Sequence, residues 1–96
     1  MAQLLKYVEW QSATGDWYCN DTSDLSSLRG RWWIPARMMN ISPAEYVQLL
    51  IDQFHPDYIV YSQEADVLVY SWKNINDCRK FKNWLNAQAR KQQYVI

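Results

Sequence analysis

The sequence predicts an α+β domain, a two-layer sandwich in which an antiparallel sheet of about four strands carries two helices on one face. Three observations predict it. A complete helix-start signal stands at Ser42-Pro43-Ala44-Glu45. Two runs rich in β-branched and aromatic residues flank Gln63-Glu64-Ala65-Asp66, and an amphipathic stretch follows the second run. The order strand, strand, loop, helix, strand, strand, helix is open to a ferredoxin-like version with a further closing strand. The chain has 96 residues, 49% of them hydrophobic, and no Pro/Gly/Ser-rich linker. It therefore reads as one domain, 1–96, with a hydrophobic core large enough to stabilise it without metals or disulfides.

In the first segment, Leu4 to Trp10, the residues Leu4, Lys6, Val8 and Trp10 share one side of a pleat, and Leu5, Tyr7 and Glu9 share the other. It reads as a strand. Ser12, Thr14, Gly15 and Asp16 supply turn chemistry, with Gly15 taking positive φ, and Trp17-Tyr18-Cys19 returns as a short second strand. Residues 20–31 are the most polar stretch and read as a long loop. A single helical turn fits inside it, capped by Ser23, with Leu25 and Leu28 one turn apart and Gly30 at its end. Trp32-Trp33-Ile34 is an apolar run halted by Pro35, and it reads as an edge strand or as none.

At the first helix Ser42 is the cap, Pro43 occupies the first helical position and Glu45 is spaced for a capping box, with Ile41 and Tyr46 spaced for a hydrophobic staple. Val47, Leu50, Ile51 and Phe54 form its apolar stripe, and Pro56 ends it. The hairpin Tyr58–Ser62 and Val67–Trp72 is predicted with Tyr61 opposite Leu68, Ile59 opposite Tyr70, Val60 opposite Val69 and Ser62 opposite Val67. Both faces are apolar, which is the pattern of central strands. Asn74 or Asn76 caps the second helix, whose buried stripe is Cys78, Phe81, Trp84, Leu85 and Ala89. Tyr94-Val95-Ile96 reads as a closing strand or an ordered tail.

Composition narrows the function classes. Ten basic residues balance ten acidic ones, so bulk charge does not draw this chain to nucleic acid or to an anionic membrane. No apolar run approaches the roughly 18 residues of a membrane span, and Met1 to Lys6 carries no secretory pattern, so the expected location is the cytoplasm. The outlier is aromatic: six Trp, seven Tyr and two Phe. A ring with a polar tip suits half-buried positions and interfaces.

No catalytic constellation can be named, and the expectation is a non-enzymatic protein with no cofactor, no metal and no small-molecule substrate. His55 is the sole histidine and stands at a helix end, where a cation suits the dipole. Cys19 and Cys78 have no nucleophile signature around them, and with one histidine they offer no paired zinc spacing. In a reducing compartment they are expected to be free thiols. Asp16, Asp21 and Asp24 lack the spacing of a calcium loop, and Gly15 and Gly30 belong to no phosphate cradle.

Two surfaces are candidates for binding. Arg31, Trp32, Trp33, Arg37 and Met38, with Arg29 and Met39 beside them, combine the residue types most enriched at the energetic centres of protein interfaces. The leading expectation is a module that binds a protein partner or itself through this region, aided by the aromatic sheet face of Tyr61, Tyr70 and Trp72. A neutral chain rich in Trp and Tyr is poorly suited to isolation. The alternative follows from a hidden asymmetry, because residues 73–91 hold six basic groups and one acid while the rest holds four and nine. Arg79, Lys82, Asn86 and Arg90 recur at helical spacing near Lys73 and Trp72, an arrangement suited to single-stranded nucleic acid through phosphate contacts and base stacking.

Overall fold

The computed structural model describes residues 4–23, 33–62, 64 and 67–93, with side chains omitted for Trp33, Ile34 and residues 90–93. The first strand, β1 (Leu5–Gln11), pairs antiparallel with β2 (Asp16–Thr22). Gly15 makes the predicted turn with φ 72°, donating its N–H to the Gln11 carbonyl at 2.9 Å. A Cβ there would meet nothing within 4 Å, so the positive φ alone asks for glycine. The second strand is longer than predicted. Asn20, Asp21 and Thr22 belong to β2 rather than to a loop, because the ladder runs on until Leu5 meets Thr22 and Lys6 grips Asp21 at 2.8 Å. The helical turn predicted around Leu25 and Leu28 lies outside the described residues.

Trp33 opens a helix, α1 (Trp33–Met38), and not a strand. Pro35 falls in its first turn, where the missing N–H breaks no helical bond. The helix closes on Asn40 at φ 58°, with Ile41 N–H bonded to the Ala36 carbonyl and Asn40 N–H to the Arg37 carbonyl, both at 3.1 Å. These paired bonds form a Schellman cap, and Asn40 fills the left-handed position that glycine usually takes. Three residues later α2 (Pro43–Leu49) starts as predicted, with Ser42 Oγ accepting from the Glu45 N–H at 3.2 Å.

The chain then widens into a π-helical turn, Leu50–Phe54, which ends on His55 at φ 46° with its N–H on the Leu50 carbonyl at 2.9 Å. The wider turn places Leu50 in the core and turns Ile51 outward, 43% exposed, against the predicted stripe. The second hairpin, β3 (Tyr58–Ser62) and β4 (Val67–Ser71), has the predicted register at every pair. Of its turn only Glu64 is described. Last comes α3 (Ile75–Gln93), capped by Asn74, whose Oδ1 accepts the Asn76 N–H at 2.8 Å.

The two hairpins form two separate two-stranded sheets, not one sheet of four strands. They touch at one antiparallel bridge, where Lys6 and Trp72 exchange backbone hydrogen bonds of 2.7 and 2.8 Å. Past Trp72 the chain leaves at once for α3, with Asp57 Oδ2 holding the Lys73 N–H at 2.7 Å, so no second rung forms on that side. The continuous sheet of a ferredoxin-like fold is therefore not seen. Tyr94-Val95-Ile96 lies outside the described residues.

Nor are both strands of the second hairpin central. Val60 is 59% exposed and Tyr58 44%, because β3 pairs on one side only. The opposite face is the core. Tyr70 meets Tyr46 of α2 and Phe81 of α3 edge-on, each with ring centroids 5.9 Å apart, so both helices cover the same face of this hairpin. Phe81 also packs against Phe54, Trp72 and Trp84. Most of the aromatic face expected to bind a partner is thus interior, with Tyr70 and Trp72 fully buried and Tyr61 half-buried against the core.

Candidate functional site

Alternation along β1 and β2 sets up the site. Val8, Trp10, Trp17 and Cys19 lie on one face of the first hairpin, and Tyr7, Glu9, Tyr18 and Asn20 on the other. The second set is tied together by Glu9 Oε2, which accepts from Tyr18 Oη at 2.9 Å, Tyr7 Oη at 3.1 Å and Asn20 Nδ2 at 3.3 Å. The first set faces α3. Asn86 fixes the spacing there: its Oδ1 accepts the Trp17 N–H at 2.8 Å and its Nδ2 donates to the Trp17 carbonyl at 3.1 Å.

Between hairpin and helix lies an open cleft of about 730 Å3. Gln11, Thr14, Asp16 and Cys19 line the hairpin side, and Arg79, Lys82 and Asn83 the helix side. Arg79 and Lys82 are one turn apart on α3. Among the described residues the ion pairs lie elsewhere, at Lys6–Asp21 and Lys80–Asp77, and neither Arg79 nor Lys82 has an acidic partner there. Trp17 completes the wall. Its ring is buried edge-on against Trp10 at 5.4 Å, and its Nε1 has no hydrogen-bond partner among the described residues, a donor of the kind that costs about 1–3 kcal/mol when left unpaired.

Cys19 lines this cleft and Cys78 lies behind it. They stand on β2 and in the first turns of α3, and both are free thiols, Cys19 half-buried and Cys78 wholly buried. The Cys78 thiol donates a hydrogen bond to Cys19, and this bond, helped by the Lys82 and Arg79 charges against the opposing effects of burial and Asp21, lowers Cys19 from 9.0 to about 7. The same hydrogen bond and burial hold Cys78 well above its ordinary value. Fifty-nine positions of sequence separate them, and a separation of this length carries no spacing signal. Only the packing of β2 on α3 joins them.

The predicted nucleic-acid residues divide. Arg79, Lys82 and Asn86 come together at the cleft, but Asn86 is committed to Trp17. Trp72 cannot stack on a base: it is fully buried, and its Nε1 donates to the Phe54 carbonyl at 2.7 Å. Lys73 sits elsewhere, its ammonium 5.8 Å from the centre of the Tyr58 ring. The Arg90 side chain lies outside the described residues. Of the predicted protein-interaction residues, Arg31 and Trp32 also lie outside them, and Trp33 is described in backbone alone. Arg37 is exposed on the last turn of α1, and Met38 packs half-buried against the core.

No family model, no curated protein and no solved structure matches this chain. Among the described residues no group of three or more His, Cys, Asp or Glu is placed to hold a metal ion, and no helix is long and apolar enough to cross a membrane. His55 closes the π-helical turn and is not part of the cleft lining.

Proposed function

We propose that this chain is a non-enzymatic interaction module whose docking surface is the cleft between the first hairpin and α3, and that the cleft takes an acidic segment of a protein partner. The observation that carries the reading is the pair Arg79 and Lys82, presented one turn apart without acidic partners among the described residues. Two such cations select for carboxylates, and an Arg fork adds geometry to charge. Gln11, Thr14 and Asn83 line the same cleft with groups able to pair with a peptide backbone. Trp17, buried in the wall, contributes rigidity rather than adhesive surface.

Single-stranded nucleic acid is the second reading, favoured by the same two cations. With Trp72 in the core, its stacking platform is gone.

Titration of the intact chain with a labelled peptide rich in Asp and Glu, and with a single-stranded oligonucleotide of equal charge, tests the choice. The expected result is peptide binding that Arg79→Glu and Lys82→Glu each weaken by about tenfold or more. Preference for the oligonucleotide, with steep salt dependence, would replace the first reading by the second. Binding of neither, or peptide binding indifferent to both variants, removes the cleft as the docking surface.

A further inference from the structure

We propose that Cys19 and Cys78 form a dithiol exchange site, in which Cys19 attacks an anionic low-molecular-weight disulfide entering the cleft and Cys78 resolves the product into an intramolecular disulfide. This goes beyond the docking reading and holds whatever partner the cleft takes. The geometry divides the labour between the two sulfurs. Cys19 lines the open cleft, half-buried, while Cys78 is wholly buried behind it at the start of α3. One thiol lines the cleft and the other lies in the core behind it, the arrangement of an attacking and a resolving cysteine.

Electrostatics favour the same assignment. Nucleophilic attack requires a thiolate, and the groups facing Cys19 are the Cys78 thiol, the Lys82 and Arg79 cations of α3, and Asp21 of its own strand. The hydrogen bond and the two cations outweigh Asp21 and burial and hold the thiol down to about 7, so the thiolate is favoured over that of an ordinary cysteine. That value lies close to the optimum for an attacking thiol at neutral pH, where ionised fraction and intrinsic nucleophilicity balance. Arg79 and Lys82 also favour approach of a disulfide that carries carboxylates.

The steps balance as follows. Cys19 thiolate attacks one sulfur of glutathione disulfide, forming a mixed disulfide and expelling one glutathione thiolate. Cys78 passes its proton to the departing glutathione as it attacks the Cys19 sulfur, so that a second glutathione leaves as the thiol. The two cysteines lose two electrons, and the small disulfide gains them. The product clamps β2 to α3 beside the cations of the cleft.

The folded chain incubated with glutathione disulfide and followed by intact-mass spectrometry and non-reducing peptide mapping tests the proposal. The expected product is a monomer lighter by two hydrogens, carrying a 19–78 cross-link. Cys78→Ser is expected to stop at a stable glutathione adduct on Cys19, with Cys78→Ala as the second form should the first not fold. Cys19→Ser is expected to react about tenfold more slowly or less, since its remaining thiol is buried. An unreacted wild type, a persistent adduct on wild type, a cross-link between chains, or a Cys19→Ser variant that reacts at the wild-type rate would each overturn it. None of these readouts involves a docked partner, so failure here leaves the acidic-peptide reading standing, and the reverse.

Discussion

Asn86 of α3 satisfies both backbone polar groups of Trp17, accepting from its N–H at 2.8 Å and donating to its carbonyl at 3.1 Å. A side-chain amide here does what a neighbouring strand would do in a sheet, and it joins the helix to the first hairpin across 69 positions of sequence. The cleft depends on this clamp, since it holds the hairpin wall at a fixed distance from Arg79 and Lys82.

Asn86→Ala is expected to destabilise the fold by about 1–3 kcal/mol, because it leaves partly buried backbone groups without partners. Asn83→Ala, exposed on the same stretch of helix, is expected to change stability by no more than about 0.5 kcal/mol. Urea unfolding of the two variants checks the contrast, and equal costs would mean that the Trp17 contacts are dispensable.

The tyrosine pair at the centre of the second layer yields a prediction about asymmetry. Tyr46 Oη donates to Tyr70 Oη at 2.9 Å, with both rings fully buried. Tyr70→Phe strands a buried donor, whereas Tyr46→Phe removes the donor itself. The first is expected to cost about 1–3 kcal/mol and the second about 1 kcal/mol. Burial raises both hydroxyls above their ordinary 10.0. A raised folded value means that stability is intact below pH 10 and is lost above it, where the unfolded tyrosines ionise and the folded ones do not. The wild type is therefore expected to unfold cooperatively in alkali, and the double Tyr46→Phe, Tyr70→Phe variant to lose part of that sensitivity in a far-UV circular dichroism titration.

Much of this molecule is legible from local patterns because those elements are specified locally. The Ser42-Pro43 start, the Gly15 turn, the register of Tyr61 on Leu68 and the stripe of Cys78, Phe81 and Leu85 all follow from period and cap chemistry. What local pattern does not carry is long-range packing. Whether two hairpins fuse into one sheet depends on how far the Lys6–Trp72 bridge propagates, and no residue type signals that. The helix at Trp33–Met38 escaped for a related reason, since Pro35 reads equally as a strand stop and as a first-turn helix residue. At the site, helical spacing located Arg79 and Lys82. The hairpin wall and the meeting of Cys19 with Cys78 are tertiary facts.

Ser71 offers a gain in stability. Its hydroxyl is fully buried and without a hydrogen-bond partner among the described residues, on the face of β4 away from Tyr70. Ser71→Ala removes the unpaired group and opens a gap of only one atom, so it is expected to raise stability by about 1 kcal/mol. A lower urea midpoint for the variant would show that the hydroxyl is satisfied.

Cys19 makes the last prediction, and its sign follows from linkage. In the unfolded chain this thiol ionises near its ordinary 9.0, and in the folded chain near about 7. Between those values the folded state has shed a proton that the unfolded state retains, so raising the pH favours folding. The contribution is fully present above 9.0 and is lost as pH falls through about 7. Cys78 works in the opposite sense, because its raised value makes ionisation above 9.0 a property of the unfolded chain alone. Stability is accordingly expected to climb from about pH 7 towards pH 9.0 and to decline beyond it. Urea midpoints of wild type and Cys19→Ser, compared across this window, isolate the first effect: the gap should widen with pH in favour of wild type. A gap that stays constant would mean that Cys19 ionises alike in both states, and that the Cys78 hydrogen bond and the Arg79 and Lys82 charges do not reach it.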